Sequence, residues 1–251
     1  MDLKAELTRY PLTGRFLANR MRDDMSEQEK AVLESIVEKV ETIPGSKRIV
    51  EKDKEYSYST MLIDGFMLRT LDSADRRHAV SCHVPGDFID LHCFALKRLD
   101  HNVDSVGEVT VGYVPHERII DVMEKHPHLA RLFWFATLLD AALHREWIKS
   151  LERLNVPERI AHTIAEIWFR LQLVGLGAVD GFETPLRQTD LAQMCGASDI
   201  HTNRAIKLLR EQDVMVWQRG RIIVPDRDKL YDYCGFESSY LYPNGVGSLA
   251  A

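Results

Sequence analysis

The sequence predicts an α+β fold: an antiparallel β-roll preceded by helices, one long helix, and a C-terminal winged helix-turn-helix. Three observations predict it. Short runs rich in β-branched residues, punctuated by turn residues, fill positions from about 41 to 115. A wide apolar stripe at helical spacing runs from Pro127 to Leu154. Two short helical patterns flank Cys195-Gly196-Ala197, and two short strands follow them.

The first forty residues read as helical and polar. Ser26 with Glu29 three positions on forms a capping pattern, and Ala31, Leu33, Ile36, Val37 and Val40 follow as its apolar side. In the β-roll, Pro44-Gly45, Asp64-Gly65, Asp72-Ser73, Pro85-Gly86-Asp87 and Val106-Gly107 mark turns. Residues 57–63 and 66–69 form the expected hairpin about Asp64-Gly65. A short amphipathic helix carrying Ile119, Ile120, Val122 and Met123 leads to Pro127. The long helix after it would span roughly 40 Å, and its stripe is wider than one β-roll can cover. A second copy of the helix is the expected cover, with Leu132, Phe135, Leu139, Leu143 and Trp147 as contacts. Packing along the chain's own β-roll is the alternative. Pro157 suits the first turn of a new helix, which ends at Gly175-Leu176-Gly177. The expected units are 1–126, 127–155 (dimerisation helix), 156–236 (DNA-binding domain) and a loosely held tail, 237–251.

Composition narrows the function classes. With 45% hydrophobic and 28% charged residues in 251, the chain has material for one large or two ordinary domains and is not disordered. No run approaches the roughly 20 apolar residues of a membrane span, and Met1 to Glu6 lack a signal-peptide core. A cytoplasmic protein is expected, with Cys82, Cys93, Cys195 and Cys234 reduced. The net charge of −6 argues against a polyanion-binding surface over the whole molecule but leaves room for a local basic face.

Residues 184–224 carry such a face. Thr184 to Met194 reads as one helix. Ser198 caps a second, whose inward side is expected to be Ile200, Ala205, Leu208 and Leu209. Gly196 supplies the left-handed residue of the turn between them. Val214 to Gln218 and Arg221 to Val224 form a two-stranded wing. Arg204 can fork onto guanine, Asn203 can bridge adenine, and His201 can donate or accept. Ser198, Thr202 and Thr189 suit phosphate oxygens, with Arg187, Lys207, Arg219 and Arg221 adding charge. Gln188 and Asp199 complete the candidate DNA-binding set. Residues 186–229 hold eight Lys/Arg against six Asp/Glu, a weak excess above an acidic background.

With these motifs in this order, the chain resembles the Crp/Fnr superfamily of bacterial transcription regulators over almost its whole length. The residues that carry the resemblance include Pro85-Gly86-Asp87-Phe88, Asp90-Leu91-His92, Arg145-Glu146-Trp147, Pro157 to His162 and Ser198-Asp199-Ile200-His201-Thr202-Asn203-Arg204. The branch with Asp-Leu-His in the β-roll and Ser-x-x-His-x-Asn-Arg in the recognition helix is the nearest. The resemblance implies a cyclic-nucleotide-binding-like β-roll (jelly roll). It also implies a homodimer on an inverted repeat of double-stranded DNA and contact with RNA polymerase.

The sequence departs from that family in three ways. Where cyclic-nucleotide binders place Gly-Glu and an Arg-Ser/Thr pair, this chain has Asp90-Leu91 and Leu99-Asp100, so a cyclic phosphate would meet repulsion. Residues 1–40 hold no cysteine, which excludes the N-terminal ligand cluster of the iron–sulfur members. Asp199-Ile200 replaces the usual Arg-Glu of the recognition helix. No cofactor is predicted. Asp90, Leu91, His92, Arg98, His101 and Asn102 are the candidates for an effector pocket of unknown ligand. His78, Cys82, His83, His92, Cys93 and His101 invite a metal or redox reading, but their spacing matches no ligand motif. A cupin-like metalloenzyme using His83, His92 and His101, or an interaction module without DNA binding, are the rival functions.

Overall fold

A computed structural model describes residues 2–74, 76–218, 220–243 and 245. Helices α1 (Leu3–Arg9) and α2 (Glu27–Ser35) come first. Ser26 caps α2 as its spacing predicts: its hydroxyl accepts from Glu29 N at 3.2 Å, and the Glu29 carboxylate accepts from Ser26 N at 2.8 Å. The helix stops at Ser35, so Val37 and Val40 do not extend its apolar side. Val40 belongs to the first strand.

The β-roll comprises β1 (Lys39–Ile43), β2 (Arg48–Val50), β3 (Tyr58–Asp72), β4 (Arg77–His83) and β5 (Asn102–Pro115), with the short α3 (Cys93–Leu96) between the last two. The order is β1-β5-β3-β4, with β2 also on β5, and every pair is antiparallel. The expected hairpin at Asp64-Gly65 is not a turn. β3 runs through it as 15 residues, and its register against β5 shifts between Leu62 and Phe66. Gly65 takes φ +90°, and a Cβ there would lie 2.6 Å from the Glu108 carbonyl oxygen. The Asp-Gly signal therefore marks a bulge.

Helices α4 (His116–Lys125), α5 (Pro127–Arg153) and α6 (Val156–Leu173) follow, then β6 (Gly181–Glu183), α7 (Gln188–Met194), α8 (Asp199–Glu211), β7 (Val216–Gln218), β8 (Arg221–Ile223) and α9 (Arg227–Cys234). Asn155 breaks α5 from α6 and caps the latter, accepting from Glu158 N at 3.1 Å. The wing has a third strand: β6 pairs with β8, in the order β6-β8-β7. The helix expected from Thr184 begins only at Gln188. Thr184 N donates to Gly220 O at 2.7 Å, and Pro185 disfavours helical backbone before it.

The largest core cluster joins both halves of the chain through α6. Ile160, Ile164, Trp168 and Leu171 are buried in one cluster with Phe66, Leu68 and Val84 of the β-roll. Leu191, Ile206 and Leu209 belong to the same cluster, with α8 packed on α6 and α7 on β4. Each such side chain contributes roughly 1.5–3 kcal/mol by leaving water. A second cluster lies where the N-terminal segment meets α4 and α5, and a third fills the β-roll.

Two expectations about the surface are corrected. On α5, Leu132, Phe135, Leu139 and Leu143 are buried within this chain, and Trp147 is half-buried and donates to Glu166 Oε1 at 3.1 Å. The exposed apolar side chains of the helix are Trp134, Leu138, Ile148 and Leu151, about half a turn away. The β-roll and N-terminal segment take one edge of the wide stripe and leave the other bare. The tail is not loose through Pro243. Residues 238–241 form a 3₁₀ turn with Leu241 fully buried, and the Tyr242 ring meets Phe135 at 5.7 Å. Aromatic residues there gain a surface to cover.

Candidate nucleic-acid interface

Helices α7 and α8 meet through Cys195-Gly196-Ala197. Gly196 has φ +59°, as the turn requires, and Cys195 and Ala197 are buried beneath it. Ser198 caps α8, accepting from His201 N at 3.3 Å. The core side of α8 is Thr202, Ala205, Ile206 and Leu209, a clean i, i+3, i+4, i+7 set. This corrects the expected inward set: Ile200 is 65% exposed and Leu208 38%. It also removes Thr202 from the phosphate contacts. That side chain is fully buried, and its hydroxyl has no hydrogen-bond partner.

The outward side therefore presents Asp199, Ile200, His201, Asn203, Arg204 and Lys207, all exposed. Asn203 Nδ2 donates to Asp199 O at 3.0 Å, and His201 Nδ1 lies 3.0 Å from Ser198 Oγ. Lys207 reaches Glu211 only at 3.7 Å. Among the described residues Arg204 makes no side-chain hydrogen bond or ion pair. Arg187 and Thr189 are exposed and Gln188 half-exposed at the start of α7, where Arg187 N donates to Asp190 at 2.9 Å. In the wing, Arg219 lies outside the described residues. Arg221 is already paired with Asp180 at 2.8 Å. The turn itself is anchored to the β-roll, because Arg76 Nη2 donates to Ala197 O at 2.6 Å.

The effector-pocket candidates do not stay together. A cleft of about 390 Å³ lies between the β-roll and α5, and only His92 and His101 of the six line it. Asp90 is buried and accepts from Thr60 N at 2.5 Å, and burial pushes its carboxyl up to about 7. Leu91 joins the core of the N-terminal segment. Arg98 pairs with Glu55 at 2.7 Å on the surface, so it does not replace the missing phosphate clamp. Asn102 accepts from Lys52 N at 2.8 Å and donates to Asp72 at 3.1 Å.

The residues the sequence reading missed are Arg69, Asp140 and His144. Arg69 binds Asp140 at 2.8 Å and Ile89 O at 2.8 Å, and lies 3.3 Å from His144 Nε2. An arginine inside an apolar strand, with Asp and His four apart on α5, was the available signal. Burial and the Arg69 charge push His101 down to about 4, and burial lowers His92. His83 lies elsewhere, in the junction beneath the Pro85-Gly86 turn. Among the described residues no group of three or more His, Cys, Asp or Glu is placed to hold a metal ion. Burial raises the thiols of Cys82 to about 12 and Cys93 to about 11, the opposite of what a redox sensor needs.

Residues 158–233 match the model of the Crp-like helix-turn-helix domain. The chain is 24% identical over 218 residues to the transcriptional activator protein FnrL of Cereibacter sphaeroides, covering 84% of this chain and 86% of that one. Its fold is similar to FixK2 from Bradyrhizobium japonicum (TM-score 0.70, 18% identity, 78% of this chain and 96% of that one). It is also similar to the c-di-GMP responsive global regulator CLP of Xanthomonas campestris (TM-score 0.63, 12% identity, 79% and 99%). Among the described residues no helix is long and apolar enough to cross a membrane.

Proposed function

From the premise of a DNA-binding, Crp-like helix-turn-helix on a Crp/Fnr fold, we propose a cytoplasmic, sequence-specific transcription regulator. It acts as a homodimer on an inverted-repeat operator and contacts RNA polymerase from there. The observation that carries the reading is the outward side of α8. Arg204 is exposed and unengaged, between Asn203 and Lys207, on a helix whose other side is locked into the core. Arg204 reads guanine, and Asn203 or His201 an adjoining base. Ile200, exposed in the first turn, is suited to a thymine methyl. Arg187, Gln188, Thr189, Ser198 and Lys207 hold the backbone.

Dimerisation uses the bare edge of α5, with Trp134, Leu138, Ile148 and Leu151 against the same residues of a second copy. The two recognition helices then enter successive major grooves about 34 Å apart. The cleft beside Arg69 is the place for an effector other than cAMP. Its polar lining already pairs Arg69 with Asp140, and Asp100 faces it. The metalloenzyme alternative is not favoured, because His83 lines a different cavity from His92 and His101.

The test is operator selection from random duplexes, followed by a salt titration and native mass spectrometry. A palindromic site, steep salt dependence and a dimer mass are expected. A flat salt titration would overturn the DNA reading. A monomer that Trp134→Glu leaves unchanged would overturn the dimer.

A further inference from the structure

Four elements meet beneath the Pro85-Gly86-Asp87 turn and leave a cavity of about 40 Å³. Arg15 and Arg20 line it from the N-terminal segment, His83 from the end of β4 and Asp87 from the turn after it. Asp140 comes from α5 and Arg170 from α6. A single water needs about 10–15 Å³ by this measure, so a small polyatomic ion has room.

The charges of the lining do not balance. Asp87 is engaged by Arg170 at 2.5 Å and by Val84 N at 3.0 Å. Asp140 is engaged by Arg69 at 2.8 Å. Arg15 and Arg20 have no ion-pair partner among the described residues. Arg15 Nε is buried without a hydrogen bond, and Arg20 spends Nε on the Leu241 carbonyl oxygen at 2.9 Å. His83 is 3% exposed, with Nδ1 3.7 Å from Asp87 and no partner for Nε2 among the described residues. Burial, and after it the nearby Arg170 charge, push Arg20 down to about 10, with Asp87 and Glu166 acting in the opposite direction. Arg15 and Arg20 are half-buried, and a partly desolvated cation without a counter-ion carries a cost that an anion hydrogen-bonded by several guanidiniums relieves.

We propose that this junction is a binding site for a free tetrahedral oxyanion of the inorganic phosphate class, held by Arg15, Arg20, Arg170 and His83. Its occupation ties α6, and with it the helix-turn-helix domain, to the β-roll and the N-terminal segment. This inference stands apart from the DNA reading, because it needs only the contact between the two halves of the chain.

The experiment is calorimetric titration of the full chain with inorganic phosphate, with thermal unfolding in phosphate and in chloride at matched ionic strength. Saturable binding at one ion per chain is expected. Tm should rise by roughly 3 °C at about ten times the dissociation constant. Phosphate also stabilises proteins by exclusion from their surfaces, so the decisive comparison is the double variant Arg15→Gln, Arg20→Gln. It should bind at least tenfold more weakly and lose the saturable part of the Tm rise. The single variant Arg15→Gln, at a half-exposed residue, should weaken binding if the double variant does not fold. Cleavage near Asn155 by limited proteolysis should slow in phosphate for the unmodified chain only. A nucleoside monophosphate should not compete, since its sugar and base exceed the cavity. The absence of saturable heat, equal affinity in the variants, or competition by the nucleotide would each overturn the proposal of a free oxyanion site.

Discussion

The guanidiniums of Arg170 and Arg204 carry the same charge and meet opposite surroundings. Arg170 is buried on α6. It donates to the Cys82 carbonyl oxygen at 2.8 Å and pairs with Asp87 at 2.5 Å, with Glu166 at 3.6 Å behind it. Arg204 is exposed on α8 and has no side-chain partner among the described residues. A charge paired with carboxylates inside the chain serves first the chain's own architecture, while one left exposed on a rigid helix is open to a macromolecular ligand. The contrast separates the part of the molecule that joins the two halves of the chain from the part proposed to read DNA.

The comparison breaks most readily at Arg170. Arg170→Met leaves Asp87 and the fully buried Glu166 without their cation, and should cost about 3–5 kcal/mol in urea unfolding. A loss below about 1 kcal/mol would show that the junction is not held electrostatically. Arg204→Ala should do the reverse. It should weaken specific DNA binding by about 1–3 kcal/mol while unfolding stability stays within about 0.5 kcal/mol. Anisotropy on the selected operator measures the first and urea the second.

Asp90 sharpens the contrast through pH. Its carboxyl is raised in the folded chain, so the stability it confers is full below the ordinary carboxylate range. That stability is lost as pH rises through about 7. Relative to Asp90→Asn, the unmodified chain should lose up to about 1.4 kcal/mol per pH unit between about pH 4 and 7. Parallel curves for the two proteins would refute the assignment. The smallest effect belongs to Thr202→Val. Replacing a buried hydroxyl that has no partner should leave stability unchanged or raise it by about 1 kcal/mol. DNA affinity should be unchanged. A fall in affinity would return Thr202 to the interface.

Much of the fold was legible locally. Ser26 and Glu29 announced α2, Pro157 the start of α6, and Ser198 the cap of α8, because a cap is settled by residues within one turn. The helix-turn-helix was legible for the same reason, and so was Arg204 on its outer side. Thr202 was misplaced although the 202, 205, 206, 209 spacing was there to be read, because Ile200 looked the better core residue. The effector candidates were chosen by position in a motif, and the folded chain turns Asp90 inward and Arg98 away. Arg69, Asp140 and His144 meet only because β3 and α5 pack together across 71 and 75 residues of chain.

What the sequence determined by itself is therefore the set of elements, their caps and turns, and the chemistry offered by α8. These depend on neighbours one to four residues apart. Tertiary structure alone decided which edge of the α5 stripe is buried and why Asp64-Gly65 is a bulge. It also decided that the tail packs through Tyr242 and that α6 is the core shared by both halves. Each depends on which distant surface arrives to cover a side chain, and burial rewards whatever apolar face is available rather than one that local spacing names.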